Sequence, residues 1–314
     1  MRIILAQPRG FCAGVERAID VVDKAIQAYD APVYVRHEIV HNQRVVDDLR
    51  AKGAVFVEDV DEIPKGAPVV FSAHGVSKGV TAEAKKRSLR AINATCPLVT
   101  KVHRQVARLH RLGYEVLLIG HEGHPEVEGT MGQLTDGIRL IESLEDARSV
   151  VVQDPRKLAY VTQTTLSLSD TEQIVRVLRR RFPSLQDPPT DDICYATQNR
   201  QVTIKRLAQD VDLVIVIGAA NSSNSNRLVE VAKAQGVAAY RVASAAELKA
   251  DWFGEDQAIG ITAGASVPEV LVEEVVEFLK ANFGAKVEED AAGVPEDVYF
   301  PLPMELREAA GAGR

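Results

Sequence analysis

The sequence predicts an α/β protein built as three similar lobes in a pseudo-threefold, trefoil arrangement. Three observations carry that expectation. Short apolar runs alternate with amphipathic helical stretches along most of the chain, the signature of mainly parallel α/β layers. The three cysteines, Cys12, Cys96 and Cys194, stand 84 and 98 positions apart, and each opens a helical stretch. The segments that follow each cysteine keep step with one another, as an internal repeat does.

The elements can be taken in order. Before Cys12 lies an extended piece, Ile3-Ile4-Leu5-Ala6, and after it Val15, Ala18, Ile19, Val22 and Ile26 recur at helical period. Before Cys96 lies Ala91-Ile92, and after it Val99, Val102, Val106 and Leu109 recur in the same way, with Pro97 suited to a first helical position. After Cys194 the stripe is weaker, with Val202, Leu207 and Val211. A strand follows each helix, at residues 33–35, 116–119 and 213–217. Each strand runs into a polar loop: His41-Asn42, His124-Pro125-Glu126 and Asn221-Ser222-Ser223-Asn224, lying 28 or 29 positions beyond its cysteine. A second set of strands, at 69–71, 159–161 and 258–261, ends in small or polar residues and feeds helical stretches such as 171–181 and 268–279. The expected lobes are 1–95, 96–192 and 193–283, with a tail at 284–314. Parallel sheets bind ligands outside the carboxyl ends of their strands, which makes these loops the candidate site.

Composition narrows the function classes. At 314 residues the length alone suggests about two domains of roughly 150 residues, a count that repeats can alter. With 46% hydrophobic and 26% charged residues the chain can bury a substantial core. The net charge of −7 gives no nucleic-acid surface, and Arg179-Arg180-Arg181 ends a helical stretch whose dipole it complements. The opening apolar run is too short for a signal peptide, and the longest one, 211–220, contains Asp212 and cannot span a bilayer. No membrane association is expected. Three widely spaced cysteines without a CxxC pair argue against a disulfide framework, a zinc ribbon or a thioredoxin motif, and fit a cytoplasmic location.

A single buried cysteine is usually a small hydrophobe. Three cysteines in the same place of three repeats point instead to a shared centre. A helix N-terminus favours the thiolate, and converging thiolates need a cation. Zinc with a fourth ligand or an iron–sulfur cluster would serve, and a cluster with three protein ligands would keep one iron open. His37-Glu38-Ile39-Val40-His41 matches the HExxH zinc pattern. That chemistry needs a helix, whereas here a β-type run precedes it and Asn42 suits the N-cap of the next helix. His121-Glu122-Gly123-His124 lacks the spacing. His41, His74 and His124 each follow a strand and, with the polar segment 221–226, suggest an anion pocket. Ser222, Ser223 and Asn224 precede a helical stretch at 227–235, whose free N–H groups would bind phosphate; simple helix capping is the alternative. Neither a Walker loop nor a strand-linked GxGxxG is present, so nucleotide binding is not supported.

The longer motifs are more specific. Pro8-Arg9-Gly10-Phe11-Cys12-Ala13-Gly14-Val15, Arg36-His37-Glu38 with Val40-His41-Asn42, Ser72-Ala73-His74-Gly75-Val76, Ala94-Thr95-Cys96-Pro97, Gly123-His124-Pro125-Glu126-Val127-Glu128-Gly129, Thr162-Gln163-Thr164-Thr165-Leu166 and Asn221-Ser222-Ser223-Asn224-Ser225-Asn226 together resemble the 4-hydroxy-3-methylbut-2-enyl diphosphate reductase family. The resemblance runs from Met1 to about Arg307, and no motif position departs from it. It implies a trefoil around a central iron–sulfur cluster, one [4Fe–4S] per chain, held by Cys12, Cys96 and Cys194. The open iron would take the allylic hydroxyl of the substrate. His41, His74, His124, Ser222, Ser223, Asn224 and Ser266 would bind the diphosphate. Glu126 would supply protons through a network that includes Thr164, which would also touch substrate. The products would be isopentenyl and dimethylallyl diphosphate, at the last step of the methylerythritol phosphate route, with a ferredoxin or flavodoxin as electron donor. Two other readings stand beside this one: a non-catalytic iron–sulfur redox sensor, which would not need the His/Ser/Asn pocket, and a zinc hydrolase on His37, Glu38 and His41. The Gly/Ala-rich end from Ala309 to Arg314 is expected to be dispensable and frayed.

Overall fold

The computed structural model describes residues 1–311. In chain order the elements are β1 (Arg2–Leu5), α1 (Ala13–Tyr29), β2 (Val33–Arg36), α2 (Gln43–Ala51), β3 (Ala54–Val57), β4 (Pro68–Phe71), α3 (Lys78–Lys86) and β5 (Arg90–Asn93). There follow α4 (Pro97–Arg111), β6 (Glu115–Ile119), α5 (Pro125–Met131), β7 (Ile138–Ile141), α6 (Leu144–Ser149), β8 (Leu158–Thr162) and α7 (Leu168–Arg181). The last third holds α8 (Tyr195–Leu207), β9 (Leu213–Ile217), α9 (Ser223–Ala234), β10 (Ala238–Val242), β11 (Ala258–Ala263), α10 (Glu269–Phe283), β12 (Lys286–Glu289) and α11 (Met304–Gly311). No helix among the described residues is long and apolar enough to cross a membrane.

The fold is α/β, with three parallel sheets among the described residues. Their strand orders are β3-β2-β4-β5, β7-β6-β8 and β10-β9-β11-β1-β12. Each repeat therefore places its first strand in the middle, the next outside it, and the third on the other side. The outer strands β3, β7 and β10 were not anticipated. The sequence reading found the extended pieces before Cys12 and Cys96 and the two strands per repeat that end in polar loops.

A second departure is topological. The lobe expected at 1–95 does not keep its opening strand: β1 pairs with β11 and β12, in the sheet of the last repeat. Likewise the expected tail at 284–314 supplies β12 to that sheet. The logic becomes clear beside β5, which runs into Cys96 yet lies against β4 of the preceding repeat. In the second sheet that place is marked by a lone bridge between Ala159 and Gln186, ahead of Cys194. The extended piece before each cysteine thus belongs to the preceding repeat, and β1 closes the cycle.

By contact the chain divides into two compact units. The first comprises Met1–Ala13, His41–Gln43 and Tyr195–Tyr299, the second Gly14–Val40, Arg44–Cys194 and Phe300–Arg314. In the first unit, strand alternation sends Ile3, Leu5, Ile215, Ile217, Ile259 and Ile261 to one face, against Leu271, Val272, Val275 and Leu279 of α10. Val214 and Val216 go to the other face, against Ile204 and Leu207 of α8 and Leu228 and Val231 of α9. All five residues of β9 are buried, as a strand covered on both faces requires. In the second unit Leu117, Ile119 and Leu158 meet Ile174, Val175 and Leu178 of α7, while Val116, Leu118 and Val161 meet Val102 and Val106 of α4.

The arginine triplet does end a helix, α7, but its side chains reach further than that helix's own dipole. Arg181 donates to the carbonyls of Ala147 and Val150 at the end of α6, at 2.6 and 2.8 Å, and Arg179 pairs with Asp187 at 2.7 Å. Of the end expected to be frayed, the first residues belong to α11, and 312–314 lie outside the described residues.

Candidate functional site

Each cysteine stands at the head of a helix, as the sequence indicated. Cys12 and Cys194 directly precede α1 and α8, and Cys96 is the N-cap of α4 with Pro97 behind it. One backbone bond fixes each of them in the same way. The N–H of Cys12 donates to Ala265 O at 3.2 Å, that of Cys96 to Ala73 O at 3.0 Å and that of Cys194 to Thr164 O at 3.0 Å. Ala73, Thr164 and Ala265 all lie two residues beyond the carboxyl end of a strand, β4, β8 and β11 respectively. The three thiols are half-buried and none is in a disulfide.

Within the second unit, the loops after β4, β6 and β8 gather His74, His124, Glu126 and Thr164 with Cys96 and Cys194. His124 is the N-cap of α5, and its Nδ1 accepts the N–H of Glu126 at 3.1 Å. An accepting Nδ1 places the proton of the neutral ring on Nε2, which leaves that nitrogen a donor. Glu126 therefore sits in the first turn of a helix, not in a loop as expected, because His124 caps and Pro125 opens a short helix there. The residue is 3% exposed. The Thr164 N–H donates to Oε1 at 2.6 Å and the Thr164 hydroxyl to Oε2 at 2.9 Å. Burial pushes the Glu126 pKa up to about 7; the two Thr164 bonds pull it back and the nearby Asp192 adds to the rise. The rings of His74 and His124 meet edge to face with centroids 5.8 Å apart, and Ser72 Oγ lies 3.4 Å from His74 Nδ1.

Within the first unit, the loops after β9 and β11 bring Ser222, Asn224 and Ser266 together with Cys12 and His41. Helix α9 starts at Ser223, four residues earlier than the apolar stripe suggested, so Ser223 and Asn224 form its first turn. Ser222 is its N-cap; its Oγ accepts the Ser225 N–H at 3.3 Å and the Ser225 hydroxyl at 2.9 Å. Asn224 donates through Nδ2 to Thr197 Oγ1 at 3.3 Å and accepts the Ala265 N–H at 3.0 Å. Ala265 is the residue whose carbonyl holds Cys12, so one residue ties the asparagine to the cysteine turn. The Ser266 hydroxyl donates to His41 O at 3.1 Å. A Cβ at Gly218 or Gly264 would stand 2.1 Å from Ser225 Oγ, so only glycine lets this helix start approach the two strand ends so closely.

The HExxH residues do not share a helix. They follow β2 in irregular chain, His37 has φ 58°, and α2 begins only at Gln43. Among the described residues, no group of three His, Cys, Asp or Glu side chains is placed to hold a metal ion. The zinc-hydrolase geometry is thereby missing. A polynuclear cluster asks for something else: deprotonable sulfur donors held apart on separate rigid turns. Three half-buried thiols on helix starts match that donor chemistry.

Sequence reasoning missed Asp192, Thr197 and Ser225. Asp192 is buried, takes the Thr162 N–H on Oδ2 at 3.2 Å, and pairs with Lys101 at 3.2 Å. In the sequence it is one of two adjacent aspartates, and nothing local distinguishes a buried acid from a solvated one.

A profile of the family described as LytB protein matches residues 3–280. The 4-hydroxy-3-methylbut-2-enyl diphosphate reductase of Azoarcus sp. is 61% identical over 307 residues, which is 98% of this chain and 98% of its own length. That of Bordetella pertussis is 56% identical over 304 residues, 97% of this chain and 93% of its own. The solved E-1-hydroxy-2-methyl-but-2-enyl-4-diphosphate reductase from Plasmodium falciparum aligns with a TM-score of 0.94 at 35% identity, over 99% of this chain and 98% of that one. Motifs, topology and these relatives agree: the chain belongs to the LytB protein family.

Proposed function

We propose that this chain is a 4-hydroxy-3-methylbut-2-enyl diphosphate reductase that removes the allylic hydroxyl of its substrate. Two electrons and two protons enter, the C–O bond breaks, water leaves, and the allyl fragment gains hydrogen at either end to give isopentenyl or dimethylallyl diphosphate. This is the last step of the methylerythritol phosphate route. The observation that supports the assignment most is Glu126, a buried carboxyl raised to about 7 and held by Thr164, in the first turn of a helix capped by His124.

Cys12, Cys96 and Cys194 would hold one [4Fe–4S] cluster, which when bound supplies low-potential electrons and an open iron as Lewis acid for the hydroxyl oxygen. The chain's own residues do the rest. Near neutral pH a large share of Glu126 carries its proton, and Thr164 orients the carboxyl so that this proton can go to the leaving oxygen. His124 offers Nε2–H, and with His41 and His74 it would donate to the diphosphate; Ser266 would join them by turning its one hydroxyl proton from His41 O to the ligand. Ser222, Ser223 and Asn224 add the start of α9, where main-chain N–H groups favour an anion. Gripping the distal diphosphate positions the reacting end, so binding energy remote from the bond serves the chemical step. The electrons would come from a small carrier such as a ferredoxin or flavodoxin, in the cytoplasm. A redox sensor would need the thiols but no proton-holding Glu126 beside histidines.

Anaerobic purification with metal analysis and turnover tests this reading. Brown protein with about four iron and four sulfide per chain, and turnover of the diphosphate substrate with an artificial reductant, are expected. Colourless protein with stoichiometric zinc would sink it, and a cluster without turnover would favour the sensor.

A further inference from the structure

The three cysteine turns are linked by three cations. Helix α1, which follows Cys12, carries Arg17, whose guanidinium donates to Ala94 O at 3.2 Å, Thr95 O at 3.1 Å and Asn93 O at 3.4 Å. Those residues lead directly into Cys96. Helix α4, which follows Cys96, carries Lys101, whose ammonium donates to Thr190 O at 3.1 Å and Asp191 O at 2.7 Å and pairs with Asp192 at 3.2 Å. Those residues lead into Cys194. Helix α8, which follows Cys194, carries Arg200, whose side chain is 0% exposed and donates to Gly10 O at 2.8 Å. Gly10 leads into Cys12. The cations stand five, five and six residues after their own cysteine.

We propose that Arg17, Lys101 and Arg200 are positioning residues for the cluster ligands, each fixing the turn that presents the next cysteine in the cycle. The inference rests on the iron–sulfur reading and adds to it a support that none of the expected site residues supplies. Physically the arrangement answers a specific difficulty. The carbonyls of Ala94, Thr95 and Gly10 are wholly or partly buried, and such oxygens need donors; before Cys194 the carbonyls are exposed, and it is the buried Asp192 that needs a partner. A cation on the preceding cysteine's helix meets each of these needs, and it couples the placement of one thiol to the placement of the next. Asp192 and Glu296 neutralise Lys101 and Arg200, with Glu296 at 3.0 Å from the guanidinium.

The test uses the whole chain, loaded anaerobically with iron and sulfide. Its readouts are the rate of iron loss to a chelator and the reduction potential, with thermal unfolding of the unloaded chain as the control for folding. Arg17→Met and Lys101→Met are expected to lose iron about 10- to 100-fold faster than the parent, the scale for residues that support metal ligands. Lys101→Arg keeps the charge and the donors, so it retains iron like the parent. Arg17→Lys loses iron faster, because one ammonium cannot reproduce a planar fork that reaches three carbonyls. Iron retention in both Met variants within about twofold of the parent, far below that scale, overturns the inference. Should a Met variant fail to fold, the charge-preserving pair decides: parent-like retention in both overturns the inference, and faster loss in Arg17→Lys alone upholds it. A parent chain that takes up no iron overturns the cluster reading and the inference together. A loaded parent with unaffected variants overturns the inference alone.

Discussion

Glu126 shows how one buried carboxyl is given a role by its neighbours. Desolvation favours its neutral form, and Thr164 limits that effect while fixing its orientation. Turnover is expected to fall as pH rises above about 7, where the proton is lost. Glu126→Gln is expected to cut turnover at least about 10²-fold, the lower scale for a general acid, while substrate still binds. Steady-state rates from pH 5.5 to 9 with both forms check this, and near-normal turnover in the variant would refute the role. The same shift has a consequence for stability. Between the ordinary carboxyl value of 4.5 and about 7 the unfolded chain ionises Glu126 while the folded chain does not. Stability from this group is fully present below that window and is lost as pH rises through about 7, by about 3 kcal/mol. Urea unfolding at pH 5 and pH 8 should therefore differ less in Glu126→Gln than in the parent.

The helix starts carry the candidate site, and their closeness to the strand ends depends on small residues. Gly218 and Gly264 both face Ser225, a fully buried hydroxyl already bonded to Ser222. Gly264→Ala is expected to push the first turn of α9 outward, costing about 1–3 kcal/mol, the range for overpacking. KM for the diphosphate should rise more than kcat falls, since the turn proposed to bind the anion moves and Glu126 does not. Adding Ser225→Ala removes the closest atom and leaves only a Cβ at 3.2 Å, so the double variant should recover part of the loss. A Gly264→Ala variant with parent stability and KM would show that the close approach is not required. These starts were partly legible. Pro97 and the strand-to-loop switches located α4 and the polar loops, but α5 was not anticipated and α9 begins earlier than apolar periodicity implies. The reason is that their first turns hold polar residues turned inward, where a hydrophobic stripe gives no signal.

At the scale of the whole chain, the sheet pairing follows the repeats: the piece before each cysteine pairs with the strands of the preceding repeat, and β1 with those of the last. β1 lies between β11 and β12 and joins them by main-chain pairing. Deleting residues 1–5 is therefore expected to destabilise the C-terminal sheet, 250 residues away in sequence, and to release β12. Limited proteolysis should show early cleavage near residues 284–290 in the truncated chain, and an unchanged pattern there would argue against the pairing.

The sequence by itself determined the α/β class, the threefold repeat, the cysteine at each helix start and the residue types of the binding loops. Each of these follows from neighbours in the chain: periodicity, capping chemistry and motif order act over a few residues. Only the tertiary structure decided that β1 closes the last sheet, that Asp192 is buried beside Lys101, and that Arg17, Lys101 and Arg200 reach from one cysteine helix to the approach to the next cysteine. These depend on which distant segments bury one another's backbone, and a cation at a helix position reads the same in the sequence whether it meets solvent or a carbonyl.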